Sequence, residues 1–249
     1  MEGNRELLRP LWRRLVGRAW VLSAILFVVL GCVRGYGAYG PEEARSWLMI
    51  GFFSMWFLPG IFFSRAGRRA MGLKQADRPG WLLWGPLLGA TSACLVFALG
   101  FWLYGRSELN WFVAIGNQFL AGSEALGLPQ AALMVVYTVP AILFSPVGEE
   151  LFFRGMIHES VGERWGERLA TLANGLAFGT IHLFHYGITR DASGYHFLLV
   201  PGLAWILLMM GLSWIFGLCR RRSGSIWPAV LAHAAFNLVM NLTVFLILR

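Results

Sequence analysis

Pro140-Ala141-Ile142-Leu143-Phe144-Ser145-Pro146-Val147-Gly148-Glu149-Glu150-Leu151-Phe152-Phe153-Arg154 carries an apolar run straight into two carboxylates and a guanidinium. The run begins near Gln130 and has the length of a bilayer-spanning helix, about 20 residues. A charge facing hydrocarbon costs several kcal/mol, from roughly 3 upward. The three ionisable groups therefore either end a span at the surface or face the interior of a helical bundle, where they mark a functional site.

The rest of the chain settles the class. Of 249 residues, 57% are hydrophobic and only 14% charged, and the mean hydropathy is +0.59. Spans are expected near Ala19–Val33, Ser46–Ser64, Trp81–Tyr104, Gln130–Phe153, Leu169–Phe184, Phe197–Cys219 and Ile226–Leu248. This predicts an all-α polytopic membrane bundle of about seven helices, or eight, around a polar intramembrane cavity. Helices are the expected element because they satisfy their own backbone hydrogen bonds in lipid. Trp20, Trp47, Trp81, Trp102, Trp165 and Trp227 stand near segment ends, where an interfacial aromatic belt belongs. One membrane domain is expected over 1–249: N-terminal helices of unclear role over 1–130, and a core over 140–240 that holds whatever chemistry there is.

The net charge of +8 is a topology signal. With the N-terminus inside, sixteen of the basic residues, Arg154 among them, fall on the inner side. Arg34, Arg45, Arg106, Arg190 and Arg249 fall on the outer side. That bias predicts a multi-pass protein of a bacterial-type plasma membrane with a cytoplasmic N-terminus. The first eighteen residues read as a basic lead-in lying on the inner surface, followed by a retained first helix rather than a cleaved signal. The bilayer is one expected partner. Nucleic acid is not, since no basic-aromatic groove module is present. Cys32, Cys94 and Cys219 read as small buried hydrophobes without disulfides. Ser107–Gln130 is expected to be interfacial helix and loop, and Arg190–Tyr195 an outer loop.

Neighbouring helical residues point about 100° apart, so Glu149 and Glu150 cannot face one spot. Glu150 and Arg154 are spaced as a helical ion pair with the acid N-terminal to the base, which leaves Glu149 as the carboxylate free to work on a bound water. A surface Glu-Glu-Arg cluster is the plainer alternative. Two further polar groups interrupt apolar helices: His182, in Phe178-Gly179-Thr180-Ile181-His182, and the pair His233 and Asn237, four apart on one face. Each alone also fits a hydrogen-bonded packing role. His185 reads as interfacial, and His158 and His196 receive no role. Together, a carboxylate, an imidazole and an imidazole–amide pair from three helices are the parts of water-mediated attack on an amide. For them to meet, the fourth span must continue past Arg154, toward Ser160, with Phe152–Ile157 helical and at least partly buried.

Glu-Glu-x-x-x-Arg over 149–154, Phe-x-x-x-His over 178–182 and His-x-x-x-Asn over 233–237 stand in order, and the run Ser225–His233 precedes the last of them. This set resembles the CPBP family, the intramembrane CAAX-processing and bacteriocin-processing endopeptidases also called the Abi family. The resemblance covers roughly residues 140–240. It implies hydrolysis of a peptide bond in a membrane-associated protein or peptide. Glu149 and His182 would activate water, His233 and Asn237 would bind the oxyanion, and Glu150 and Arg154 would hold the site together. No cofactor is favoured. The alternative is Zn²⁺ in the same protease, since two His and one Glu are also a catalytic zinc set. A non-catalytic scaffold or immunity protein is the rival from another class.

Overall fold

The computed structural model describes residues 6–124, 127–191 and 194–248. Its main helices are α1 (Ala19–Tyr39), α2 (Ser46–Phe62), α3 (Trp81–Tyr104), α4 (Trp111–Glu124), α5 (Gln130–Trp165), α6 (Glu167–Ile181), α7 (Leu199–Ser223) and α8 (Trp227–Leu246). Seven of the eight coincide with expected spans. Five of them, α1, α3, α5, α7 and α8, are long and apolar enough to cross a membrane by length and composition. Large apolar side chains such as Leu83, Trp102, Val200 and Leu207 cover the outside, as lipid contact requires. The chain is thus an integral, multi-pass membrane protein. A two-stranded antiparallel hairpin, Ile188–Asp191 with Gly194–Phe197, is the exception to an otherwise helical fold among the described residues.

Several boundaries differ from expectation, each for a physical reason. α1 continues past Val33 to Tyr39 and so carries Arg34 into the bundle. Between Ser107 and Gln130 the expected helix forms as α4, and its inner face packs on the bundle: Trp111, Phe112 and Ile115 are buried, and Trp111 packs tilted against Trp205. The segment expected as an outer loop, 190–195, pairs instead as strands, although Ala192 and Ser193 lie outside the described residues. Cys32 and Cys94 are exposed on apolar helix faces, and only Cys219 is buried. The N-terminal lead-in is tied down at its end, with Leu7 and Leu8 buried and Leu8 bridged to Phe63.

α5 positions the chemistry. Its regular pattern is interrupted at Phe144, where Pro146 cannot donate to the carbonyl four residues back. The Trp56 indole of α2 donates to the Phe144 carbonyl at 2.9 Å. From Glu150 to Ile157 the helix is π-wound, a form that concentrates at functional sites. Every residue of this stretch is buried, and the helix runs on to Trp165. Glu149 therefore lies deep in the bundle, roughly 24 Å along the helix from its Trp165 end at about 1.5 Å per residue.

α3 and α8 approach most closely, because α3 offers small residues at four-residue spacing. A Cβ placed on Gly85 would stand 2.4 Å from the Pro228 carbonyl oxygen, and one on Gly89 only 1.9 Å from that of Ala232. That backbone contact seats the turn of α8 bearing His233.

Candidate active site

Glu149 and Glu150 are both almost fully buried, at 1% and 0% exposure, and they face different partners. The Oε1 oxygen of Glu149 receives Arg34 Nη1 at 3.1 Å and Ser145 Oγ at 3.3 Å. Its other oxygen, Oε2, makes no hydrogen bond among the described residues and lies 3.7 Å from His182 Nε2.

The proton on His182 follows from its other contact. Nδ1 lies 2.7 Å from the Phe178 carbonyl oxygen, which can only accept, so Nδ1 carries the hydrogen. In the neutral imidazole, Nε2 then presents a lone pair toward Glu149 Oε2. The turn bearing His182 follows directly on α6, over His182–Phe184, and the Trp205 indole fixes it by donating to the His182 carbonyl at 3.1 Å. Helix extension of α5 thus brings Glu149 and His182 together, as convergence of the motifs demanded.

Glu150 organises a second group. His233 Nδ1 lies 2.9 Å from Glu150 Oε1, and Arg154 Nε lies 3.2 Å from Oε2. The pairing of Glu150 with Arg154 has the expected four-residue spacing. His233 must donate from Nδ1 to a carboxylate, which again leaves Nε2 as its second functional nitrogen. Phe216 stacks on the His233 ring with centroids 5.0 Å apart. Asn237, four residues on, is half-buried, and its Nδ2 donates to the Ala141 carbonyl on α5 at 2.8 Å. One of its two amide hydrogens is thus already engaged, beside the break in α5.

Two participants were not anticipated. Arg34, expected as an outer topology charge, is buried and paired with Glu149, so the N-terminal half does supply a polar group to the centre. A signal was present: it is the sole basic residue between Arg18 and Arg45, and a charge inside a span needs a buried partner. His185, expected at the interface, accepts on Nε2 from Arg34 Nη2 at 2.8 Å. Arg154, also counted among the inner topology charges, is completely buried. His158 acquires a structural place, its Nδ1 facing Arg220 Nη1 at 3.2 Å. Arg220 also donates to the carbonyls of Ala70 and Met71.

Both His182 and His233 hold their Nδ1 hydrogens on oxygen acceptors, a pattern shared with metal-bound histidines. Among the described residues, however, no three His, Cys, Asp or Glu side chains converge as a ligand set for an ion.

Residues 131–239 match a family model described as Rce1-like, type II CAAX prenyl endopeptidase Rce1-like. The match bears out the resemblance carried by the three motifs, and it encloses Glu149, Glu150, Arg154, His182, His233 and Asn237 while excluding Arg34. No curated protein and no solved structure matches the chain significantly.

Proposed function

We propose that this protein is an intramembrane endopeptidase that cleaves a membrane-associated protein or peptide by means of water activated between Glu149 and His182. One observation carries the reading. Two buried acceptor atoms, Glu149 Oε2 and His182 Nε2, face each other at 3.7 Å, and one water molecule can donate a hydrogen to each. Glu149 takes the water proton as the water oxygen bonds to the scissile carbonyl carbon. As the C–N bond breaks, that proton passes to the departing amine.

The developing oxyanion needs donors. His233 supplies one when its Nε2 is protonated, with Glu150 as the counter-charge at Nδ1. Asn237 supplies a second by turning its amide from the Ala141 carbonyl. Glu150 and Arg154 hold these groups in register. An open apolar groove of about 510 Å³ between α1 and α6 is lined by Phe27, Gly31, Gly35, Ile181 and Phe184. It abuts the segments that bear Arg34 and His182, which suits a substrate whose tail arrives through lipid. A prenylated C-terminal tail is the substrate class that the family match suggests. The basic bias favours a cytoplasmic N-terminus in a plasma membrane of bacterial type.

Glu149→Gln is the decisive variant. It keeps the shape and the Arg34 contact but removes the base. The expected result is a folded protein that no longer processes the membrane precursor that accumulates in cells lacking it. Retained processing would favour the scaffold reading. The metal question has its own measurement, the zinc content of purified, active protein with and without chelator. Stoichiometric zinc, with activity lost on stripping and restored on re-addition, would replace the glutamate mechanism.

A further inference from the structure

Arg34 comes from outside the family-matched segment, and its two terminal nitrogens do different things. Nη1 takes Glu149 Oε1 at 3.1 Å, while Nη2 reaches His185 Nε2 at 2.8 Å. His185 belongs to the same turn as His182, and its backbone N–H donates to the His182 carbonyl at 2.9 Å. The guanidinium therefore grips the carboxylate with one arm and the histidine turn with the other. Its planar fork suits a bridge of fixed width, which a lysine ammonium does not provide.

The consequence for Glu149 is an asymmetry. Arg34 and Ser145 both occupy Oε1, so Oε2 is the oxygen left toward His182. An unanchored carboxylate could rotate either oxygen into that place or collapse onto the imidazole. The cation also offsets the charge of Glu149, as Arg154 does for Glu150. The buried centre thus holds two carboxylates and two guanidiniums, a balance the low-dielectric interior demands.

α1 is built to deliver this contact. It runs antiparallel to α5, with Ser23 Oγ donating to the Met156 carbonyl at 3.4 Å and accepting from Ser160 Oγ at 3.0 Å. Further along, Phe27 meets Phe153 edge to face. The third meeting point along the pair is Arg34 with Glu149. At about 1.5 Å per residue, Arg34 stands roughly 22 Å from the start of α1 and Glu149 roughly 24 Å from the end of α5. The matched depths make the pairing a property of the helix packing rather than of a flexible side chain.

Resting on the hydrolase reading above, we infer that Arg34 is a positioning residue of this site, anchoring Glu149 and the 182–185 turn together and so setting the spacing at which Glu149 and His182 share a water. The site is incomplete without α1.

The test uses full-length protein in proteoliposomes with a farnesylated peptide ending in a CAAX sequence as probe. Arg34→Lys, Arg34→Gln and Arg34→Ala are compared with His185→Leu, which removes one arm only, and with Glu149→Gln as reference. Loss of the partner that orients a metal-ligating side chain lowers activity by about 10- to 100-fold, and a carboxylate anchor is expected to act on the same scale. Arg34→Lys and Arg34→Gln should lose kcat by that factor with KM unchanged, and His185→Leu should lose less. Millimolar methylguanidinium should restore part of the kcat of Arg34→Ala and leave the wild type unaffected; a purely structural loss would not respond. Folded Arg34 variants with wild-type kcat, beside an inactive Glu149→Gln, would overturn the inference alone. An active Glu149→Gln would instead overturn the hydrolase reading. A rise in KM without loss of kcat would make Arg34 a substrate contact, and a rise in kcat would make it a brake; either outcome rejects positioning. If the Arg34 variants do not fold, His185→Leu decides: wild-type kcat there removes the second arm and the inference with it.

Discussion

The Arg154 guanidinium lies over the face of the Phe178 ring, 3.9 Å from its centroid. The same ring meets His182 with centroids 4.3 Å apart and His233 edge to face at 5.9 Å. Phe178 is therefore a hub: its backbone carbonyl takes the His182 hydrogen, and its ring touches both histidines and the buried cation. A desolvated cation on an aromatic face is worth about 2 kcal/mol or more. That contact explains how a fully buried arginine with one ionic partner is tolerated, and why an aromatic residue precedes His182 by one turn.

Arg154→Ala is expected to destabilise the protein strongly. It leaves Glu150 buried with its charge unbalanced, and breaking such a pair by removing one partner costs about 3–5 kcal/mol. Arg154→Lys should cost less, since the charge survives while the planar contact with Phe178 is lost. Thermal unfolding in detergent, followed with and without lipid, checks the order. Equal stability of wild type and Arg154→Ala would show that Glu150 finds another partner.

Gly89→Ala is expected to disrupt activity through packing alone. The added methyl would stand 1.9 Å from the Ala232 carbonyl oxygen, far inside van der Waals contact, and backbone has to move. Because His233 follows Ala232 directly, the displacement reaches the Glu150 contact. A lowered unfolding temperature together with lost turnover should result, whereas Gly60→Ala, where an added Cβ meets nothing within 4 Å, should change neither. The comparison of the two glycines by unfolding and turnover checks it.

The helices, their order and the central acids were legible because apolar length and four-residue spacing are local properties of the chain. Phe152–Ile157 is helical and buried, as convergence of the motifs required. What could not be read was local nowhere. Glu149 was expected to be the unpaired carboxylate, but its partner is 115 positions away. The span ending near Phe153 hid the depth of Glu149, because Arg154 reads as a stop when its cover by Glu150, Phe178 and Phe216 is unseen. Arg34 was misread for the converse reason: the glycines and tyrosines after Val33 resemble the end of a span, yet they continue α1. In both places a charge taken for a boundary is a buried contact.

Asn237→Ala should separate catalysis from folding. In the structure Asn237 ties α8 to α5 through a hydrogen bond to the Ala141 carbonyl, whose loss costs only about 1 kcal/mol. If its amide turns to the oxyanion during turnover, kcat should fall by about 10²–10³. Asn237→Asp should fall as far, because a carboxylate repels the oxyanion. Steady-state kinetics alongside an unfolding curve checks this; a stability loss without a kcat loss would leave Asn237 a packing residue.

Glu150→Gln tests the division of labour between the adjacent acids. The glutamine oxygen can still accept from His233 Nδ1, which now sits 2.9 Å from Glu150 Oε1, so the geometry of the imidazole is preserved. What disappears is the negative charge that offsets Arg154 and that would support a doubly protonated His233 during attack. Two effects should therefore appear together. Stability should fall, since the Arg154 cation loses its direct ionic partner and keeps only Phe178, Phe216 and the more distant Glu149, and kcat should fall with KM nearly unchanged, since the oxyanion donor has lost its counter-charge. Combining Glu150→Gln with Arg154→Met should recover stability, because the unbalanced cation is gone, but should not recover kcat. Recovery of both in the double variant would mean that Glu150 serves only to neutralise Arg154 and that His233 needs no carboxylate behind it.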